Sequence, residues 1–465
     1  MIDDDSIASQ WDRSIIPALA DYIRIPNKSP MFDAQWHAHG HMHAAVNLLA
    51  DWARDAGVTH LSAEIIQLDG RTPVWFGEVP GAPDAPTVLL YGHYDKQPEF
   101  SGWYEGLGPW TPVLRDGRLY GRGGADDGYA LFASLSAIAA VQRAGLPLPR
   151  CIILIEGCEE SGSFDLPAYL THLAARIGEP ELVVCLDAEC GDYEHLWLST
   201  SLRGLLLGTL SVQVLEQGVH SGAASGIVPS SFRLLRALLD RIEDSATGRM
   251  IDALQVPISQ ATRLEAAGMV QSLGDLLITR YPWAGSTKPV VGDLTELVLN
   301  NTWRPTLSVT GLSGAPAVDN AGNTLRPSTS ARLSIRLPPT LDAARASDIV
   351  KARLERDPPQ GATVSFHSDG GQPGWAAPPA NASLAASFDR AANATFKSAA
   401  RYMGMGGTIP FLKMLGDQFP RAQYMVTGVL GPHSNAHGPN EFLDIATGKR
   451  ITQCVARVLA DVVGS

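Results

Sequence analysis

Apolar residues recur at helical spacing from Ser9 to Ile25, and the run stops at IPNKSP, whose prolines and asparagine mark a turn. A second helical pattern covers Ala44–Ala56 and ends at Gly57. Three continuous apolar runs of strand length follow: PTVLLYGHYD (Pro86–Asp95), CIILIEGCEE (Cys151–Glu160) and LVVCLDAE (Leu182–Glu189). Helical patterns at Tyr129–Ala144 and Leu166–Arg176 separate them. Continuously apolar strands alternating with helices predict an α/β class: a buried, mostly parallel sheet with helices on both faces.

The pattern changes near Gly204. LLLGTLSVQVLE and STSARLSIRLPP alternate apolar and polar residues, the period of antiparallel strands with one wet face. A helix candidate, Ser230–Asp244, lies between them. This predicts an inserted α+β domain over 204–370. The first domain then resumes after GGQPGWAAPP, with a helix near Ala385–Thr395, a strand at Gln423–Leu430 and a closing helix at Thr447–Val463. The expected domains are therefore 1–203 with 371–465, and 204–370.

Composition narrows the function. The 465 residues are 45% hydrophobic and 18% charged, ordinary for a globular chain of two or three domains. The net charge of −12, with lysines and arginines scattered, argues against nucleic acid, because phosphate contacts need basic patches. No apolar stretch reaches the ~18 residues of a membrane helix. The acidic start, MIDDDSIASQW, lacks a secretory basic region. The five cysteines form no CxxC pair, and Cys151 and Cys185 sit in strand-like runs. They read as reduced, buried thiols of a cytoplasmic protein.

Ligands of open α/β sheets bind outside the carboxyl ends of the strands. That rim collects the acidic and imidazole residues of this chain. His93 and Asp95 end the first apolar run, Glu159 and Glu160 the second, and Asp187 the third. Asp126 and Asp127 sit in GRGGADDG before a helix, and His437 follows the strand Gln423–Leu430. A single carboxylate at a strand end reads as a helix cap or surface residue. A rim of them needs a cation to offset their repulsion. Imidazole and carboxylate without thiolate fit zinc, manganese or cobalt. Five ligands exceed one tetrahedral zinc, whereas two ions sharing a bridging carboxylate account for His93, Asp126, Glu160, Asp187 and His437. Ions roughly 3.5–4 Å apart share a hydroxide and polarise a carbonyl. Glu159 is then the general base, and Asp95 sits behind the His93 imidazole and fixes its tautomer.

With these motifs in place, the chain resembles the metal-dependent exopeptidase family of carnosine dipeptidase, dipeptidase V, glutamate carboxypeptidase and aminoacylase. The shared segments are YGHYDKQP (Tyr91–Pro98), YGRGGADDG (Tyr120–Gly128), EGCEESGS (Glu156–Ser163), CLDAE (Cys185–Glu189), HSG (His220–Gly222), SIRLPP (Ser334–Pro339), GGTIP (Gly406–Pro410) and AHGPNE (Ala436–Glu441). They span nearly the whole chain in the family's order. The resemblance implies that Asp126 bridges two divalent ions, zinc first and manganese or cobalt as alternatives. His93 and Asp187 complete one ion, and Glu160 and His437 the other. It further implies a cis Asp126–Asp127 peptide, Glu159 as acid/base, and His220 stabilising the oxyanion, in dimeric relatives from across the subunit boundary. Arg336, Thr408 and Gly407 match positions near the substrate carboxylate.

The family pattern also makes 204–370 a lid and dimerisation domain, and the protein a homodimer acting on a small peptide or amino-acid amide. Asp187, aspartate rather than glutamate, leans toward the carnosine dipeptidase and dipeptidase V branch. Two positions depart from the pattern. Gly128 stands where lysine usually follows the Asp pair, and Met405 where an acidic residue often precedes the GGSIP-type loop.

The histidines His37, His39, His41 and His43 have no carboxylate at ligand spacing and read as a polar helix entrance. GRGGAD has Asp126 where a dinucleotide fingerprint needs its third glycine. No GxSxG elbow and no Cys/His nucleophile pair is present. The function expected is hydrolysis of dipeptides or short peptides by a metal-bridging hydroxide. The alternative is an N-acyl-amino-acid amidohydrolase on the same scaffold.

Overall fold

A computed structural model describes residues 1–464. The chain forms two compact units. The first contains Met1–Thr200, Ala377–Met403 and the chain from Met414 onward; the second contains Ser201–Ala376 and Gly404–Lys413. The sequence-based boundaries fall at 203/204 and 370/371, and they leave GGTIP with the first domain. The segment Gly404–Lys413 instead joins the second unit because Arg203 holds it. The Arg203 backbone N–H donates to Met405 O and its Nε to Gly406 O, both at 3.3 Å.

The first unit is built on a six-stranded sheet. Its order is Ser62–Ile66, Val74–Val79, Arg150–Glu156, Thr87–His93, Leu182–Cys185, Gln423–Val426. The last four strands pair in parallel, and the first two are antiparallel. The two antiparallel strands, Ser62–Ile66 and Val74–Val79, add to the sheet beyond the apolar runs. The four parallel strands coincide with the apolar runs, because a strand covered on both faces has no polar side. Thr87–His93 is buried at every residue after Thr87.

Helix Ala130–Arg143 is buried at every residue from Ala130 to Val141 and packs against the closing helix Ile445–Asp461. The N-terminal helical segment starts earlier than its apolar periodicity suggests, at Asp4. Asp3 caps it by accepting from the Ser6 N–H at 3.2 Å, a contact typically worth about 1 kcal/mol. Five cysteines are free and buried. The histidine run forms two helical pieces, Trp36–His39 and the start of His41–Arg54, broken at Gly40 with φ +72.

The second unit carries a four-stranded antiparallel sheet, ordered Thr306–Ser313, Ser328–Leu337, Gly204–Gln213, Thr363–Gln372. The alternation read from sequence is its burial pattern. Leu206, Leu210, Val212, Leu333, Ile335 and Leu337 are buried, and they share a core with Leu234 and Leu238 of helix Ser231–Leu239. Among the described residues no helix is long and apolar enough to cross a membrane.

Candidate metal centre

The parallel strands carry their C-terminal ends to one rim of the sheet, where the site is assembled. His93 is the last residue of its strand, and its imidazole is fully buried. Its Nδ1 is 3.2 Å from Asp95 O and 3.4 Å from Asp95 Oδ1. Its Nε2 points the other way, 3.3 Å from Asp126 Oδ1 and 3.7 Å from Asp187 Oδ2. The second oxygen of Asp126, Oδ2, lies 3.1 Å from His437 Nε2, which is 3.2 Å from Glu160 Oε2. Asp126 therefore offers one oxygen to each of two imidazoles. Asp187 joins it on the His93 side and Glu160 on the His437 side.

Local structure explains each placement. Asp126 and Asp127 lie in the turn Gly124–Gly128, joined by a cis peptide bond, as the resemblance implies. Glu159 and Glu160 stand beyond their strand, on the single 3₁₀ turn Glu159–Ser161. That turn is held by Asp95: Oδ1 accepts from the Glu159 N–H and Oδ2 from the Glu160 N–H, each at 3.0 Å. Asp95 thus does more than stand behind the imidazole, since its carboxylate sets the position of both glutamates. Asp187 follows the short strand Leu182–Cys185, and His437 sits in the turn-rich loop after Gln423–Val426 with φ +61.

Four neighbouring motif residues have roles that apolar pattern and ligand spacing did not reveal. Gln97 Nε2 donates to Glu160 Oε2 at 2.6 Å. Asp127 Oδ2 accepts from the His93 N–H at 3.2 Å. Arg122 pairs with Glu441, and Arg122 Nη2 donates to Gly438 O at 2.7 Å. All four lie inside motifs singled out from the sequence. Their chemistry became visible only as contacts.

The electrostatics call for a cation. Burial raises the carboxyl groups of Glu159, Glu160 and Asp187, and neighbouring carboxylates add to the effect. Burial pulls the His93 and His437 imidazoles down, but facing carboxylates outweigh it and hold both above the ordinary histidine value. Among the described residues, no lysine or arginine pairs with Asp126, Glu159, Glu160 or Asp187. His93 Nε2 is buried without a hydrogen-bond partner and aimed into these carboxylates. Donor atoms of His93, Glu159 and Asp187 lie within 4.8 Å of one another, as do those of His93, Asp126 and Glu160. The two imidazoles offset part of this charge and hold Asp126 well below the usual carboxylate range, but four carboxylates face only these two. Such a set fits a divalent metal, and the N/O donors suit zinc, manganese or cobalt.

The remaining sequence-predicted residues belong to the second unit. Arg336 Nη1 donates to Thr408 Oγ1 at 3.1 Å, and the Thr408 hydroxyl donates to Arg203 O at 2.6 Å. A Cβ added at Gly407, beside Thr408, would meet nothing within 4 Å. His220 is exposed on a two-strand ribbon formed with Thr324–Leu325. The departures also have surroundings. A Cβ on Gly128 would lie 2.3 Å from the Tyr22 ring and 2.5 Å from Gly123 O, so no side chain fits there. Met405 is buried at the end of strand Arg401–Met405.

An α/β sheet with carboxylates and imidazoles gathered at its rim defines a metal-dependent hydrolase. The family profile "Peptidase family M20/M25/M40" matches residues 89–461, and the chain belongs to this family. It is a metallopeptidase that hydrolyses amide bonds. A cysteinylglycine-S-conjugate dipeptidase of Corynebacterium striatum is 27% identical over 375 residues, 78% of each chain. A Beta-Ala-His dipeptidase of Mus musculus is 29% identical over 330 residues, 66% of this chain and 64% of its own. The crystal structure of human carnosine dipeptidase 1 superposes with a TM-score of 0.76 at 20% identity, covering 99% of this chain and 98% of that one. Both of these sequence relatives are dipeptidases by name, so the amidohydrolase alternative is not favoured.

Proposed function

We propose that the protein cleaves dipeptides or short peptides with two divalent ions per subunit, zinc first, with manganese or cobalt as alternatives. The observation that carries this reading is the division of Asp126: Oδ1 faces His93 at 3.3 Å and Oδ2 faces His437 at 3.1 Å. In this reading Asp126 would be shared by both ions, His93 and Asp187 would hold one, and Glu160 and His437 the other. When bound, the ions supply Lewis acidity to the attacking water and to the scissile carbonyl.

Glu159 takes the proton of the attacking water and returns it to the leaving amine. Burial and the neighbouring Asp187 carboxylate raise its carboxyl, which favours holding the proton between the two transfers. Asp95 and Gln97 keep Glu159 and Glu160 in place. His220 donates to the oxyanion, contributed by the partner subunit of a homodimer. Arg336, Thr408 and the Gly407 backbone receive the substrate carboxylate. Five free thiols suit a cytoplasmic setting.

The test is metal-stripped protein reloaded with zinc, manganese or cobalt and incubated with mixed dipeptides and N-acyl amino acids, read by mass spectrometry. Metal-dependent loss of dipeptides is expected. Loss of the N-acyl compounds alone would move the substrate class. Mixing His220→Ala with Glu159→Gln protein restores activity if His220 acts across subunits, and leaves it lost otherwise.

A further inference from the structure

The second unit contains a cavity of about 280 Å³ lined by helices Gln260–Leu273 and Leu294–Thr302 and by residues of the segment 277–290. This is near the lower end of the roughly 300–1,000 Å³ of small-molecule sites. Leu277, Ile278 and Leu297 make its apolar walls, and Trp283 and Val290 stand at the mouth. Trp283 is 41% and Val290 78% exposed. Two arginines, Arg203 and Arg280, line the cavity, and no aspartate or glutamate does.

Arg203 is only 6% exposed. Its Nε and Nη1 donate to the carbonyls of Gly406, Asn300 and Arg304 and to the Thr306 hydroxyl at 3.0–3.3 Å. These partners are neutral. Among the described residues no carboxylate pairs with Arg203, and its Nη2 donates no hydrogen bond. Burial and the nearby charge of Arg336 push the guanidinium down to about 10, so it remains a cation at neutral pH. Buried charges are normally paired, because neutral hydrogen bonds do not replace a counter-ion.

We propose that this cavity binds a small organic acid, one carboxylate on an apolar or aromatic body, with the carboxylate on Arg203 and the body against Leu277, Leu297 and Trp283. With Nε and Nη1 held by the protein, Nη2 is the edge left to donate to one carboxylate oxygen, a charge-assisted contact. The apolar part of the lining, Met269, Leu277, Ile278, Leu297 and Val298, favours an acid with an organic body over a bare phosphate. A free amino acid is disfavoured too, because its ammonium finds no carboxylate in the lining. The cavity adjoins the residues proposed for the substrate carboxylate, since Arg203 O accepts from the Thr408 hydroxyl at 2.6 Å, but it presents a different arginine from Arg336.

Titration calorimetry of the metal-loaded enzyme with 3-phenylpropionate and with its uncharged amide tests the idea. The acid binds at one site per chain, and the amide about tenfold or more weaker, as expected when a buried cation loses its partner. Trp283→Ala and Val290→Asp each weaken the acid to a similar extent while metal content and melting temperature are retained. Arg203→Met also removes the hydrogen bonds that hold Gly406, so the two mouth variants carry the test. No binding up to millimolar acid, equal affinity for acid and amide, or affinity unchanged in both mouth variants would each overturn the proposal.

Discussion

Arg122 and Glu441 form a buried ion pair that joins the loop carrying Asp126 to the loop carrying His437. Arg122 is 1% and Glu441 0% exposed, and they are 319 positions apart. Glu441 Oε1 also accepts from the Gly123 N–H at 2.8 Å, and Arg122 reaches Gly438 O. The pair therefore fixes the spacing between two proposed ligands that chain connectivity leaves independent.

Removing one partner leaves an uncompensated buried charge. Arg122→Met is expected to cost about 3–5 kcal/mol in thermal or denaturant unfolding. Burial pushes the Glu441 carboxyl up to about 7 although Arg122 pulls it down. A carboxyl raised in the folded state binds more protons folded than unfolded, so stability falls as pH rises through that interval. The Arg122→Met loss in metal-free protein is therefore larger at pH 8 than near pH 5.5, about a unit above the unfolded glutamate value. A loss that grows on acidification would contradict this assignment.

Glu159→Gln separates acid/base from ligand. Loss of proton transfer is expected to lower kcat by about 10²–10⁴-fold, while metal analysis finds full occupancy. A variant that instead loses one ion would make Glu159 a ligand, as its closeness to His93 and Asp187 allows.

Asp95→Asn replaces one acceptor oxygen by a donor facing the Glu159 or Glu160 N–H. Supporting residues of this kind cost about 10–100-fold in metal affinity or activity. The expected signature is a drop in kcat/KM with metal affinity weakened at Glu160. Unchanged kinetics would reduce Asp95 to a turn cap.

Metal uptake should release protons. Without metal, Glu159, Glu160, Asp187, His93 and His437 all titrate above their ordinary values. Ligands must lose their protons to bind metal. Affinity therefore rises with pH, and calorimetry in buffers of different ionisation enthalpy reports net proton release. Uptake independent of pH between 6 and 8, about the neutral range in which histidine titrates, would rule out these ligands.

Gly128→Ala forces a methyl into the Tyr22 ring and the Gly123 carbonyl. Overpacking of this kind costs about 1–3 kcal/mol, measurable as a lowered melting temperature. Gly128→Lys, the residue usual in relatives, is expected to be worse. A stable Gly128→Lys protein would show that Tyr22 yields.

Much of this protein is determined by local sequence. The parallel strands are legible because burial on both faces leaves them no polar residue, as in Val88–Tyr91 and Ile152–Ile155. The alternation in Gly204–Gln213 and Ser328–Leu337 is legible because one sheet face is wet. The residues proposed as ligands are legible because strand ends concentrate chemistry and carboxylates gathered there need a counter-charge. Tertiary structure alone decided how they are held. Asp95 on the Glu159–Glu160 turn, Gln97 on Glu160 and Arg122 on Glu441 are contacts between residues 63 to 319 positions apart. No periodicity encodes them, since a hydrogen bond depends on where the fold brings two side chains. The strands Ser62–Ile66 and Val74–Val79, the place of Gly404–Lys413 in the second unit, and the uncompensated Arg203 cavity belong to the same class. Each is set by long-range packing rather than by the pattern of its own segment.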